Sequence, residues 1–239
     1  MDSVEISDII EKTRQYLKQQ EELFGGELFL KHPEVATNIE IPYSGKTLED
    51  FREAIKECQK CPLAGTRTHF VFGAGNPDAN LMLIGEAPGR DEDLKGEPFV
   101  GKAGQLLDRI LAAIDFKREE IYIANILKCR PPGNRDPLQE EIALCLPYLL
   151  HQIEIIKPKV ILTLGRISTQ VLLKTTAPLS RLRGEVHDFN GISVIATYHP
   201  AALLRNPQWK RPTWEDVQRL RRVYDEIVGD KPEWHPSKR

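Results

Sequence analysis

Leu81-Met82-Leu83-Ile84, followed at once by Gly85-Glu86-Ala87-Pro88-Gly89, reads as a short apolar strand that ends in a tight turn. Four apolar residues without polar alternation suit a strand covered on both faces. The same signature recurs downstream. Ile121–Ala124, Val160–Leu164 and Ile192–Thr197 are three more apolar runs, the last following a hairpin signal at Asn190-Gly191. Between them, helical periodicity is expected over residues 103–115, 138–156, 167–174 and about 214–228; in the first, Leu106, Leu107, Ile110, Leu111 and Ile114 share a face. Strands alternating with amphipathic helices predict an α/β domain whose mostly parallel sheet is covered by helices on both faces. Sheets of this kind bind ligands beyond the carboxyl ends of their strands, which selects the segments after Ile84, Ala124, Leu164 and Thr197.

Upstream of the first strand the organisation differs. Ile6, Ile9, Ile10, Thr13, Leu17 and Leu23 give residues 4–24 helical spacing, Gly25-Gly26 stops it, and residues 27–46 read as an extended linker. Thr47-Leu48-Glu49-Asp50 resembles a capping box and opens a short helix. The expected layout is an N-terminal extension over residues 1–45, a main domain over 46–230 and a tail over 231–239. Residues 1–50 carry a net charge of −6 and residues 51–239 one of +4, so an acidic arm precedes a mildly basic body. Arg205, Lys210, Arg211, Arg219, Arg221 and Arg222 cluster near the C-terminus, as either a solvated helix face or a surface suited to a phosphate backbone.

The 239 residues, 41% hydrophobic and 28% charged, match an ordinary globular chain and exclude disordered, collagen-like and disulfide-dense classes. No apolar run approaches the ~20 residues of a membrane helix, and the N-terminus lacks a signal-peptide pattern. A cytoplasmic monomer that makes no membrane contact is the expectation.

The four cysteines are Cys58, Cys61, Cys129 and Cys145, the first two as C-x-x-C. In an intracellular chain, metal is a better reading than disulfides. Four thiolates suit tetrahedral zinc or an iron–sulfur cluster, and spacing alone does not choose. Their place beside the strand-end segments implies a structural role.

The strand ends carry the chemistry. Glu86 and Glu92 follow the first strand and could orient water. Phe99, in Gly96-Glu97-Pro98-Phe99-Val100-Gly101, offers a flat ring on a loop. Asn125 ends the second strand, and its amide can read a base edge with one donor and one acceptor. His199 follows the fourth strand and can donate to a developing oxyanion. Beyond it, Leu203, Leu204 and Arg205 read as a Pro-bounded loop that could wedge into a duplex beside the basic Lys210 and Arg211.

The runs Gly85-Glu86-Ala87-Pro88-Gly89, Pro98-Phe99-Val100-Gly101-Lys102-Ala103-Gly104-Gln105, Asn125-Ile126-Leu127-Lys128-Cys129-Arg130-Pro131-Pro132 and His199-Pro200, with the cysteines, resemble the family 4 uracil-DNA glycosylases over about residues 50–230. The resemblance implies a three-layer α/β/α fold with a central four-stranded, mostly parallel sheet. It also implies a 4Fe-4S cluster on Cys58, Cys61, Cys129 and Cys145, uracil-containing DNA as partner, and hydrolysis of the uracil N-glycosidic bond. By position, Gly85, Ala87, Phe99, Asn125 and His199 would hold uracil, while Glu86, Glu92 and His199 would act in catalysis. Relatives of another branch carry Asp where this chain has Ala87, which leaves the water-activating group open. Two rival readings remain: a non-catalytic DNA-binding module with zinc on the cysteines, and a glycosylase for another deaminated base such as hypoxanthine.

Overall fold

The computed structural model describes residues 47–235, so the expected helix over 4–24 and the linker after it lie outside the described residues. Thr47 caps α1 (Leu48–Ile55): its Oγ accepts the Asp50 amide at 3.1 Å, and the hydroxyl donates to the Asp50 carboxylate at 2.6 Å. That is the capping-box position read from the sequence.

Six strands form one sheet. They are β1 (Ala74–Gly75), β2 (Leu81–Gly85), β3 (Tyr122–Asn125), β4 (Val160–Leu164), β5 (Val186–Phe189) and β6 (Ile192–Thr197), in spatial order β1-β3-β2-β4-β6-β5. The central four pair in parallel and are the four expected; β1 and β5 add antiparallel edges. The expected count of four is therefore corrected to six. β1 is too short to leave a periodic signal. β5 is the outer arm of the hairpin, whose turn residues Asn190 and Gly191 both have positive φ (52° and 83°), as a type I′ turn requires.

Alternation along the strands builds the layers. Met82, Ile84, Ile161 and Val194 face one side and pack with α1, α4 (Gln139–Ile156) and α5 (Arg166–Leu172). Leu81, Leu83, Leu162 and Ile195 face the other and pack with α3 (Lys102–Ala112) and α8 (Lys210–Ile227). Both faces are dry, so every residue of β2 and β4 is buried, as unbroken apolar runs demand.

Three short helices were not anticipated: α2 (Arg90–Lys95), α6 (Leu179–Leu182) and α7 (Pro200–Arg205). The last corrects the Pro-bounded loop. Pro200 occupies the first helical position, where a missing N–H costs nothing. Arg221 is another correction. It is fully buried inside α8, not on a basic surface: its guanidinium binds Asp225 at 2.8 Å and the carbonyls of Ile114 (2.9 Å) and Pro232 (2.6 Å).

The chain runs from β2 outward to β3, then returns to β4 on the other side of β2. That reversal opens a crevice at the carboxyl ends of β2 and β4. Gly85, Asn125 and the turn into His199 all lie along this end of the sheet.

Candidate active site

Gly85 and Asn125 are register partners at the ends of β2 and β3. A methyl group on Gly85 would sit 2.3 Å from Asn125 Oδ1 and 2.8 Å from Phe99 Cζ. Glycine is what lets the amide and the ring converge there. Asn125 is 2% exposed, and its Oδ1 has no hydrogen-bond partner. A buried acceptor left unpaired costs about 1–3 kcal/mol, so this atom marks a place where a donor is meant to arrive. From below, the buried Lys128 ammonium donates to the Asn125 carbonyl at 3.0 Å and to Gln152 Oε1 at 2.6 Å. Burial pulls Lys128 down to about 8. Its role in seating Asn125 had no signal in the sequence.

Phe99 is 5% exposed and has φ of +54°, uncommon for a bulky side chain. Its neighbours hold it there. A side chain on Gly104 would place Cβ 1.8 Å from the Phe99 carbonyl oxygen. Arg118 Nη1 donates to that same oxygen at 3.1 Å, and Arg118 Nη2 donates to the Pro98 carbonyl. Glu92 accepts on the other side. Its Oε1 takes the amides of Val100 (2.9 Å) and Gly101 (3.0 Å), and its Oε2 takes Gly89 N–H at 3.1 Å. Glu92, expected to be catalytic, is thus bonded to three backbone amides and ties the turn after β2 to the Phe99 loop.

The His199 ring stacks beside Phe99 with centroids 5.4 Å apart and planes at 29°. His199 caps α7: Nδ1 accepts the Ala201 amide at 3.1 Å. An accepting Nδ1 leaves the proton on Nε2. Burial, followed by the charge of Arg205, lowers the ring to about 4, so at neutral pH it is an uncharged donor. Glu86 is partly buried. Burial first, then the charge of Asp136, raises it to about 7, although Arg166 pulls the other way. Arg166 itself pairs with Asp136 at 2.9 Å. Ala87 packs, partly buried, against the core beneath this turn.

The expected DNA-contacting residues divide. Leu203 is 1% exposed and belongs to the packed face of α7, so it cannot enter a duplex; Leu204, one residue on, is 46% exposed. Arg205, Lys210 and Arg211 are exposed, and Arg211 sits 3.6 Å from Glu215.

The four cysteines come from three segments and lie in one hydrophobic cluster. Three sulfurs receive donors: Lys128 N–H to Cys145 at 3.2 Å, Arg67 Nη1 to Cys129 at 3.4 Å and Tyr148 O–H to Cys58 at 3.3 Å. Burial raises Cys145 to about 12. Burial also raises Cys129, and Cys61 and Cys58 lie near enough to add to that rise. Among the described residues, no three His, Cys, Asp or Glu side chains converge tightly enough for a single metal ion. No described helix is long and apolar enough to cross a membrane.

Residues 72–218 match the family model described as the uracil DNA glycosylase superfamily. The chain is also similar to the Type-4 uracil-DNA glycosylase of Archaeoglobus fulgidus, at 46% identity over 78% of this chain and 96% of that protein. It is 43% identical to that of Saccharolobus solfataricus, over 77% and 88% of the two chains. It is 42% identical to that of Thermotoga maritima, over 73% and 93%.

Proposed function

As the chain belongs to the uracil DNA glycosylase superfamily, we propose that its crevice takes uracil extruded from DNA and that the residues there hydrolyse its N-glycosidic bond. The enzyme is a uracil-DNA glycosylase acting in DNA repair. The C1′–N1 bond breaks, the oxygen of water joins C1′, and a proton from that water ends on the departing base. A base inside a duplex hides this bond, so extrusion must come first, at a few kcal/mol. The exposed Leu204, with Arg205, Lys210 and Arg211, supplies an apolar wedge and phosphate contacts that offset this cost.

The observation that carries the reading is the unpaired Oδ1 of Asn125, buried beside Phe99. Uracil presents an N3–H donor next to its O4 acceptor, which matches one amide oxygen and one amide N–H. Cytosine presents an acceptor at N3 and a donor at N4, which leaves the same groups unpaired. Sites built this way reject the wrong partner strongly. The Phe99 and His199 rings are 5.4 Å apart, less than the about 7 Å needed to sandwich a third ring. The base therefore stacks on one face of Phe99, and His199 meets its edge, with Nε2–H donating to O2 as negative charge grows. Glu86, poised near neutrality, is the carboxylate that stabilises the sugar cation or orients water. Gly85 and Ala87 leave room for the base. Glu92 acts as a positioning residue that fixes both turns.

The cysteines suit a 4Fe-4S cluster. Four thiols from three segments share one apolar surround, and N–H and O–H donors are aimed at three of the sulfurs, a pattern that stabilises thiolate ligands. When bound, the cluster would cross-link the turn after α1, the segment after β3 and α4. An absorption spectrum of anaerobically purified protein separates it from zinc, since an iron–sulfur protein is brown and a zinc protein colourless.

Base release from duplexes carrying one uracil, thymine or hypoxanthine tests the function. Release of uracil alone supports the reading. Faster release of hypoxanthine favours another deaminated base, and no release from any duplex leaves the non-catalytic DNA-binding rival.

A further inference from the structure

Arg118 lies in a single 3-10 turn, Arg118–Glu120, about twenty residues beyond the Phe99 loop. Nothing in the sequence marks it. Its guanidinium nevertheless spans the carbonyls of two successive residues, Pro98 and Phe99, and Nη1 is also held by Asp108 Oδ1 at 3.1 Å. The residue it holds is the one whose backbone is left-handed, at φ +54°. A bulky residue does not keep that conformation unless its surroundings over-determine it. The opposite side of the loop is fixed separately, by Glu92 on the amides of Val100 and Gly101. Carbonyls are thus drawn to a cation at one end and amides to an anion at the other, with the Phe99 ring between them. Gly104 makes room for this arrangement, since any side chain there would collide with the Phe99 carbonyl.

We propose that Arg118 is a positioning residue for base recognition: by holding the carbonyls of Pro98 and Phe99 it keeps the Phe99 ring where a uracil ring can stack on it. This rests on the uracil reading above and deepens it. Arg118 touches no substrate and acts only through Phe99. Removing it frees the loop to leave its left-handed conformation, so the stack weakens while contacts to the phosphate backbone stay as they are. Lysine does not replace it, because an ammonium cannot present two parallel N–H groups to neighbouring carbonyls.

The test compares two affinities of the full-length protein, at a temperature well below unfolding. One is for free uracil, read as inhibition of base release; the other is for a duplex carrying an abasic site, which offers no base to stack. In Arg118→Gln, uracil binds about tenfold more weakly, 1.4 kcal/mol, while abasic-duplex affinity stays within twofold of wild type. Arg118→Lys falls between the two. Equal uracil affinity in Arg118→Gln and wild type overturns the proposal, and so does an equal loss of both affinities, which would mean general damage. If Arg118→Gln does not fold, Asp108→Asn gives the same readout from an exposed position, with uracil weakened about two- to threefold and the abasic duplex unaffected; no change there overturns the proposal. A wild-type protein that neither binds free uracil nor releases it from DNA would instead remove the uracil reading itself.

Discussion

His199→Ala is expected to slow uracil release by about 10²–10³ while leaving the fold intact. The size follows from the state of the ring. Nδ1 is occupied by the Ala201 amide at 3.1 Å, so Nε2 carries the proton. Burial and then Arg205 lower the ring to about 4, so at pH 7 it offers a hydrogen bond and no charge. One preorganised donor to a developing anion is worth about 2.7–4 kcal/mol, and each 1.36 kcal/mol is a factor of ten. The same substitution also removes the N-cap of Pro200–Arg205. That costs about 1 kcal/mol, or about 2–4 °C in Tm for a chain of this size. His199→Ser separates the two effects. Its hydroxyl can cap Ala201 but cannot reach the base, so Tm should recover and the rate should not. The assay is single-turnover release from a uracil duplex with enzyme in excess, run well below Tm. A loss under tenfold in His199→Ala, or a rate restored together with Tm in His199→Ser, would show that the ring is only a cap.

Other outcomes follow from the same geometry. Glu86 is held near 7, so release should rise with pH through about 7, and Glu86→Gln should be slow and lack that limb. In stability the sign reverses. The fold favours the protonated carboxyl, so its contribution is present at low pH and lost as pH rises from about 4.5 toward 7; Tm of Glu86→Gln relative to wild type should therefore improve more at pH 8 than at pH 5. His199 works in the opposite sense, contributing stability above pH 6.5 that is lost as pH falls toward 4, so thermal melts of His199→Gln should lose less Tm than wild type between pH 7 and pH 4.5. Asn125→Ala should abolish most uracil release without lowering Tm by more than a few degrees, because the buried Oδ1 it removes has no partner to lose; a collapse in Tm would mean the amide is structural. Cys58→Ser should bleach the visible absorption of the purified protein and lower its Tm, and unchanged colour would exclude Cys58 as a ligand.

Where the sequence was legible, the reason was local. Val160–Leu164 and Ile192–Thr197 are strands at the boundaries expected from unbroken apolar runs between punctuating residues. Gly85, Phe99, Asn125 and His199, singled out from four separate turns, do converge, because the strand-end rule depends only on recognising a parallel sheet. What escaped was non-local or very short. Arg118 and Lys128 bond backbone carbonyls, which have no side-chain identity to read. Glu92 was singled out as a carboxylate near a turn, and its hydrogen bonds to amides in two loops had no signal in the sequence. Leu203 and Leu204 are adjacent and chemically alike, and only the turn of a six-residue helix buries one and exposes the other.

A crystal structure of the protein with uracil bound would test the convergence most directly. The base should lie against Phe99, with N3 within hydrogen-bonding distance of Asn125 Oδ1 and O2 within reach of His199 Nε2. Uracil found elsewhere on the molecule, or in the crevice with N3 turned away from Asn125, would contradict it.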